Sequence, residues 1–309
     1  MTVKVARIVC VLGLVALFTR STCLDAESVT LEDALADFDE SVLTNLDLSA
    51  LPAVTTCRTL QTLLQGEYVL QLAPLRDVAA ATLPLLEQDE ETKPYAAWLR
   101  TRLDYLAVAD ELQIAIPPPN LELRPALPPL LNPSPDAERR AWREHLKRED
   151  LPPGARLYAE QLKPVFVAEG VPSQLVWLAE VESRFEPRAC SPVGAAGLFQ
   201  LMPDTAQLWG LSLSPRDDRL VPLKSAQVAA QYLKYLHDKF GDWRLALAAY
   251  NAGEGRVRRL LDQRGARSYD EIASRLPAET QMYVPKVEAT ILRREGTALS
   301  ELKTPQTRP

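Results

Sequence analysis

The chain has 309 residues, 47% hydrophobic and 25% charged, which is enough apolar material for a sizeable core and, by length, about two domains. Its net charge of −6 sits mostly in front: residues 27–135 carry 6 Lys/Arg against 17 Asp/Glu, whereas residues 172–296 carry 17 against 15. Neither part offers the basic face that phosphate backbones require, which excludes nucleic acid as a partner. Aromatics are sparse, alanine and leucine abundant, and strand-like alternation is hard to find, so the fold class expected is mainly α.

In chain order, Lys4 and Arg7 precede an apolar run (8–18) too short to span a bilayer. Residues 1–26 therefore read as a signal peptide, placing the working protein outside the cytoplasm. Cys23 invites comparison with a lipid-anchored cysteine, but Arg20-Ser21-Thr22 fit a lipobox poorly, and ordinary cleavage between Ser21 and Ala26 is expected. Residues 27–115 hold helical segments, among them 60–75 and 94–112, without a chemical motif. Residues 116–135 are dense in proline, which fixes φ and disfavours helix before it; they read as an extended linker and a domain boundary. A second helical region follows over 136–296, and the tail 297–309 reads as mobile.

Cys10 leaves with the signal peptide. A Cys57–Cys190 disulfide is compatible with an oxidising compartment but has no geometric support, so free thiols are preferred. His145 and His237 are the only histidines, with no HExxH and no paired CxxC, so no metal and no cofactor are implied.

Residues 175–185 pose a question. Pro172 and Ser173 suit a helix start with a serine cap, and Leu175, Leu178, Ala179 and Phe185 share one helical face. Glu182 falls on that same face. A buried, unpaired carboxylate costs several kcal/mol or keeps its proton. Two readings are open: an ion pair with an arginine from elsewhere, or a general acid in a cleft. Pro187 is expected to end the helix, Gly194 and Gly197 to form a compact loop ahead of Gln200, and Pro203-Asp204 to open another helix ending near Gly210. A buried helix closes at Tyr250-Asn251-Ala252-Gly253, and Glu279 and Tyr283 lie four apart, on one face. Glu180 points away from Glu182, and Glu186 precedes Pro187 where the chain turns away, so no second carboxylate stands out as a nucleophile.

Four motifs, VES (181–183), the ASPVGAAGLFQLMP-type stretch with Cys190 in place of its first residue, AAYNAGEGRV and ETQMYVPK, resemble the lytic transglycosylases of the soluble-type (SLT) family in order and spacing. The likeness covers about 172–290 and is greatest to the membrane-bound lytic murein transglycosylase D group. Phe199 departs from the more usual Met or Trp, and the LysM repeats common in that group are missing. The resemblance implies a goose-type lysozyme fold for 136–296; it says nothing about 27–135, which the proline-rich stretch marks off as a separate helical region. It also implies cleavage of the MurNAc–GlcNAc β-1,4 bond of peptidoglycan glycan strands in the periplasm or cell envelope. Glu182 is then the single acid/base, with Ser191, Gln200, Tyr250, Asn251, Glu279 and Tyr283 along the glycan cleft. The substrate's N-acetyl group assists, and the MurNAc O6 hydroxyl replaces water to leave 1,6-anhydro ends. The alternatives are a hydrolytic muramidase on the same fold and a non-catalytic envelope glycan-binding or scaffold protein. The front region supplies none of these residues and is expected to be dispensable for bond cleavage.

Overall fold

The computed structural model describes residues 53–115 and 132–306. The expected signal peptide with Cys23, and residues 116–131 of the proline-rich stretch, lie outside them. All described residues belong to one compact unit, Asp47–Pro309.

Among the described residues the regular structure is helical. The front contributes α1 (Ala53–Leu64), a 3₁₀ segment (Val69–Leu75), α2 (Arg76–Glu87) and α3 (Lys93–Ala115). After the prolines come α4 (Pro135–Leu146), α5 (Pro153–Ala168), a 3₁₀ turn (Ser173–Trp177), α6 (Leu178–Ser183) and α7 (Pro203–Leu208). The remainder is α8 (Pro222–Phe240), α9 (Trp243–Ala252), α10 (Glu254–Arg264), α11 (Tyr269–Ile272) and α12 (Ala278–Glu295).

The core is organised around α12, every residue of which from Ala278 to Ile291 is buried. A helix apolar or satisfied all round belongs in the middle of a protein, and its polar atoms need partners there. Pro285 lacks the N–H that would bond the Gln281 carbonyl, and the Tyr269 hydroxyl donates to that carbonyl instead, at 3.0 Å. At the other end, the Ala278 amide donates to the Gly66 carbonyl at 2.6 Å and the Gln281 side chain donates to the Glu67 carbonyl at 2.8 Å. Those two carbonyls are free because the helix expected over 60–75 breaks at Gln65–Tyr68.

The front helices are therefore not a separate domain. Helix α3 packs on the 3₁₀ segment, α4 and α6, and the Cys190 amide donates to the Pro94 carbonyl at 3.1 Å. Prolines forbid helix where they stand, but they place no limit on whether the helices on either side share a core. Asn132 shows the opposite of separation: it accepts from the Val69 amide and donates to the Glu67 and Ser274 carbonyls.

Three local expectations also change. Ser173 makes no cap; Pro172 occupies that position and a 3₁₀ turn precedes α6. Left-handed backbone at Arg184 (φ 52°) and Phe185 (φ 59°) ends α6 ahead of Pro187. The tail is docked through residue 306: Leu299 and Leu302 are buried, the Trp243 indole donates to the Lys303 carbonyl, and Gln306 and Gly170 bond through their backbones.

Candidate active site

Glu182 lies on α6, 4% exposed, among side chains from three other helices. The Tyr283 hydroxyl of α12 donates to its Oε1 at 2.6 Å. Burial pushes its carboxyl up to about 7, opposed by the Arg102 charge and by the Tyr283 hydrogen bond. Near neutral pH this group is poised to give and take a proton. Burial also holds the Tyr283 and Tyr250 hydroxyls well above the usual phenol range, with the nearby Glu182 charge adding to it, so both stay protonated donors.

The loop after α6 is built to stay in one shape. A side chain at Gly197 (φ 81°) would run into the Arg219 carbonyl oxygen. Arg219, held by Asp217, donates to the Gly194 and Leu201 carbonyls at 2.7 and 3.0 Å. Ser183 and Tyr250 tie the loop to the helices by donating to the Leu198 and Phe199 carbonyls, at 2.8 and 2.7 Å.

Gln200 has left-handed backbone (φ 44°), and its amide nitrogen donates to the Ala189 and Gly197 carbonyls, at 3.0 Å each. Its Oε1 is buried without a partner in the protein. Ser191 accepts from the Ala195 amide at 2.9 Å. Asn251, at the end of α9, accepts from the Thr280 hydroxyl at 2.6 Å. Glu279 differs from the other residues singled out from sequence, because both its oxygens are occupied by the front helices. Arg102 of α3 pairs with Oε1 at 2.5 Å, and Gln61 and Gln65 donate to Oε2 at 3.0 Å each.

No described carboxylate near Glu182 is presented as a nucleophile. Glu180 is locked to Arg294 at 2.7 Å, Glu279 to Arg102, and Glu186 is exposed, accepting from the Arg188 amide. Cys57 and Cys190 are free thiols. Asp104, His145 and Glu149 bring their ligand atoms within 4.8 Å of one another. Lys286 and Arg184 already pair with Asp104, and Arg184 with Glu149, so this cluster is an ion-pair network.

Sequence reasoning missed two groups of residues. Arg102, Gln61 and Gln65 carry no motif, and Arg102 is one of three charges in LRTRLDYL, beside Arg100 and Asp104, with nothing to set it apart. Trp209, Tyr232 and Tyr235 form an aromatic cluster, with Tyr232 and Tyr235 stacked 6.3 Å apart and Tyr232 packed on Tyr250 at 5.5 Å. Together with Thr205, Leu208 and Glu254 they line a shallow surface hollow. Its signal was the i, i+3 spacing of two tyrosines on α8.

Residues 168–273 match the family described as the transglycosylase SLT domain. This stretch, well under half of the chain, is similar to that domain. It contains Glu182 and its loop, whereas Glu279, Tyr283 and Arg102 lie outside the matched stretch. The chain is 42% identical over 123 residues to the membrane-bound lytic murein transglycosylase D of Escherichia coli K12, covering 38% of this chain and 27% of that protein. It is 40% identical over 121 residues to the soluble lytic murein transglycosylase of Salmonella typhimurium, covering 36% of this chain and 19% of that one. The match thus spans about a quarter or less of those relatives' own length. Among solved structures, the lytic transglycosylase Slt of Pseudomonas aeruginosa aligns with a TM-score of 0.40 at 21% identity, over 82% of this chain and 48% of that one.

Proposed function

We propose that the protein is a peptidoglycan lytic transglycosylase of the cell envelope, cutting the MurNAc–GlcNAc β-1,4 bond with Glu182 as its one acid/base. One observation carries the reading: a buried carboxyl held near neutrality, with every neighbouring carboxylate engaged elsewhere. The match to the SLT domain and the names of the relatives support it.

In the first half-reaction the protonated Glu182 gives its proton to the glycosidic oxygen as the C1–O4 bond breaks, and the substrate's N-acetyl oxygen stabilises C1. In the second, the Glu182 carboxylate takes the proton of the O6 hydroxyl as O6 bonds to C1. The proton is returned, no water is consumed, and a 1,6-anhydro-MurNAc end is left. Tyr283 supports the charged intermediate state of Glu182 by donating to it. The free Oε1 of Gln200 accepts a sugar hydroxyl or N-acetyl N–H, Ser191 and Asn251 line the same cleft, and the Trp209 hollow takes the apolar face of a sugar ring.

Purified sacculi incubated with the intact chain, followed by mass spectrometry of the products, test this reading. The expected ends are lighter by one water than hydrolysed ends and resist borohydride. Reducing MurNAc ends would replace it with a hydrolytic muramidase, and intact sacculi would leave a glycan-binding or scaffold protein.

A further inference from the structure

We propose that Arg102 of the front helix α3 is a positioning residue for Glu182, holding Glu279 and the first turn of α12 against the acid, so that the segment ahead of the prolines completes the site. The proposal rests on reading Glu182 as the acid. Arg102 is itself buried (6% exposed) and bridges two places: Nη1 donates to the Thr101 hydroxyl at 2.7 Å and Nη2 pairs with Glu279. Its Nε–H, also buried, has no partner within the protein. Glu279 stands one helical turn before Tyr283, whose hydroxyl meets Glu182, so what fixes Glu279 fixes Tyr283. One turn further on, Lys286 donates to the Thr101 carbonyl at 3.1 Å and the Asp104 carboxylate at 2.9 Å. Helices α3 and α12 are thus joined by polar contacts on both sides of Tyr283.

This arrangement sets the electrostatics of the acid. The groups that face Glu182 are Arg102 and Tyr105 from α3, Tyr250 from α9, and Glu279, Tyr283 and Lys286 from α12. Arg102 and Lys286 favour its charged form, whereas Glu279 and burial disfavour it. Arg102 is the largest influence favouring the carboxylate, and it enters from a helix that the SLT match does not reach. Without it, burial and the Glu279 charge would hold the proton too tightly for the base step.

The two partners act on Glu182 with opposite sign, a pattern that loss of packing alone does not produce. The test follows the Glu182 carboxyl titration by ¹³C NMR of glutamate-labelled intact chain, assigned by the signal missing in Glu182→Gln. Arg102→Gln is expected to move the titration up by about one pH unit, Arg102→Lys to return most of that shift, and Glu279→Gln to move it down. The alkaline limb of kcat on sacculi should follow in the same directions. A folded Arg102→Gln with an unmoved titration overturns the proposal. If Arg102→Gln does not fold, the comparison passes to Glu279→Gln and the Arg102→Gln/Glu279→Gln double variant. The double variant should titrate higher, and equal values overturn the proposal. An intact chain that leaves sacculi untouched while these shifts appear removes the transglycosylase reading and leaves the positioning role standing.

Discussion

The Tyr283 hydroxyl reaches Oε1 of Glu182 at 2.6 Å across 101 residues of chain, joining the buried acid to the helix that forms the centre of the core. A hydrogen bond to a carboxylate favours its charged form, so this one holds the Glu182 carboxyl lower than burial alone would. Tyr283→Phe removes only the donor. The Glu182 titration should rise above about 7, and the alkaline limb of activity should move to higher pH with it. A pH–rate profile on sacculi checks this; an unmoved limb would separate Tyr283 from the proton's energetics.

Glu182→Gln should abolish cleavage, with a loss at the upper end of the roughly 10²–10⁴-fold supplied by acid–base catalysis, or beyond it, because one group serves both halves. It should also stabilise the fold. The folded-state value of about 7 lies above the ordinary 4.5, so between these the native state binds a proton that the unfolded chain does not. Stability from this group is present below about pH 4.5 and lost as pH rises through 7. The gap in melting temperature between Glu182→Gln and the wild type should widen over that window and level off above it.

Gln200 combines left-handed backbone with two donated hydrogen bonds. Gln200→Ala removes two buried hydrogen bonds, although the Ala189 and Gly197 carbonyls each keep a backbone amide donor, and retains the backbone cost, for a loss of about 2 kcal/mol. Gln200→Gly loses the same bonds but relieves the backbone, and should be the more stable of the two by about 1 kcal/mol. Urea unfolding of both variants checks the order. Activity should fall through KM, with the pH limbs unmoved.

A chain begun at Asp136 would lose Gln61, Gln65 and Arg102, leaving the Glu279 carboxylate buried without its partners, and would strip the Gly66 carbonyl from the start of α12. Breaking a buried pair by removing one member costs about 3–5 kcal/mol, a large fraction of a domain's stability. Such a shortened chain should be unfolded or molten by near-ultraviolet circular dichroism and inactive on sacculi. A cooperative, active fragment would show that α12 finds other partners.

Trp209→Ala should raise KM on long glycans about three- to tenfold with kcat and the pH profile unchanged, since the hollow offers an aromatic face and no titrating group to the reaction. An equal effect on kcat would place the hollow nearer the cut bond than proposed here.

The parts legible in the sequence are those with short-range patterns. Glu182 on an apolar stripe, the glycines before Gln200, and Glu279 and Tyr283 four apart each announce themselves within about a dozen residues. The mainly helical class follows from composition in the same way. Arg102 was invisible because its partner lies 177 residues away, and because prolines between them read as separation. The roles within the site were only half legible. An amide can donate or accept, and nothing near Gln200 in the chain says that its nitrogen is spent on the Ala189 and Gly197 carbonyls. The tail misled for a related reason: its polar composition hides Leu299 and Leu302, which find cover on distant helices.

The pairing of Arg102 with Glu279 also bears on how the chain folds. Contacts so distant in sequence repay their loop-closure entropy late, and chains dominated by them fold slowly. Helices α8 and α9, consecutive in sequence and packed on each other, can form early; α3 and α12 come together only when segments 177 residues apart meet. Amide hydrogens of α3 and α12 should then exchange as one cooperative unit. Nascent or partly folded chains would hold the Glu182 motif intact yet lack its charge environment, and bond-cutting competence would arrive only with complete folding.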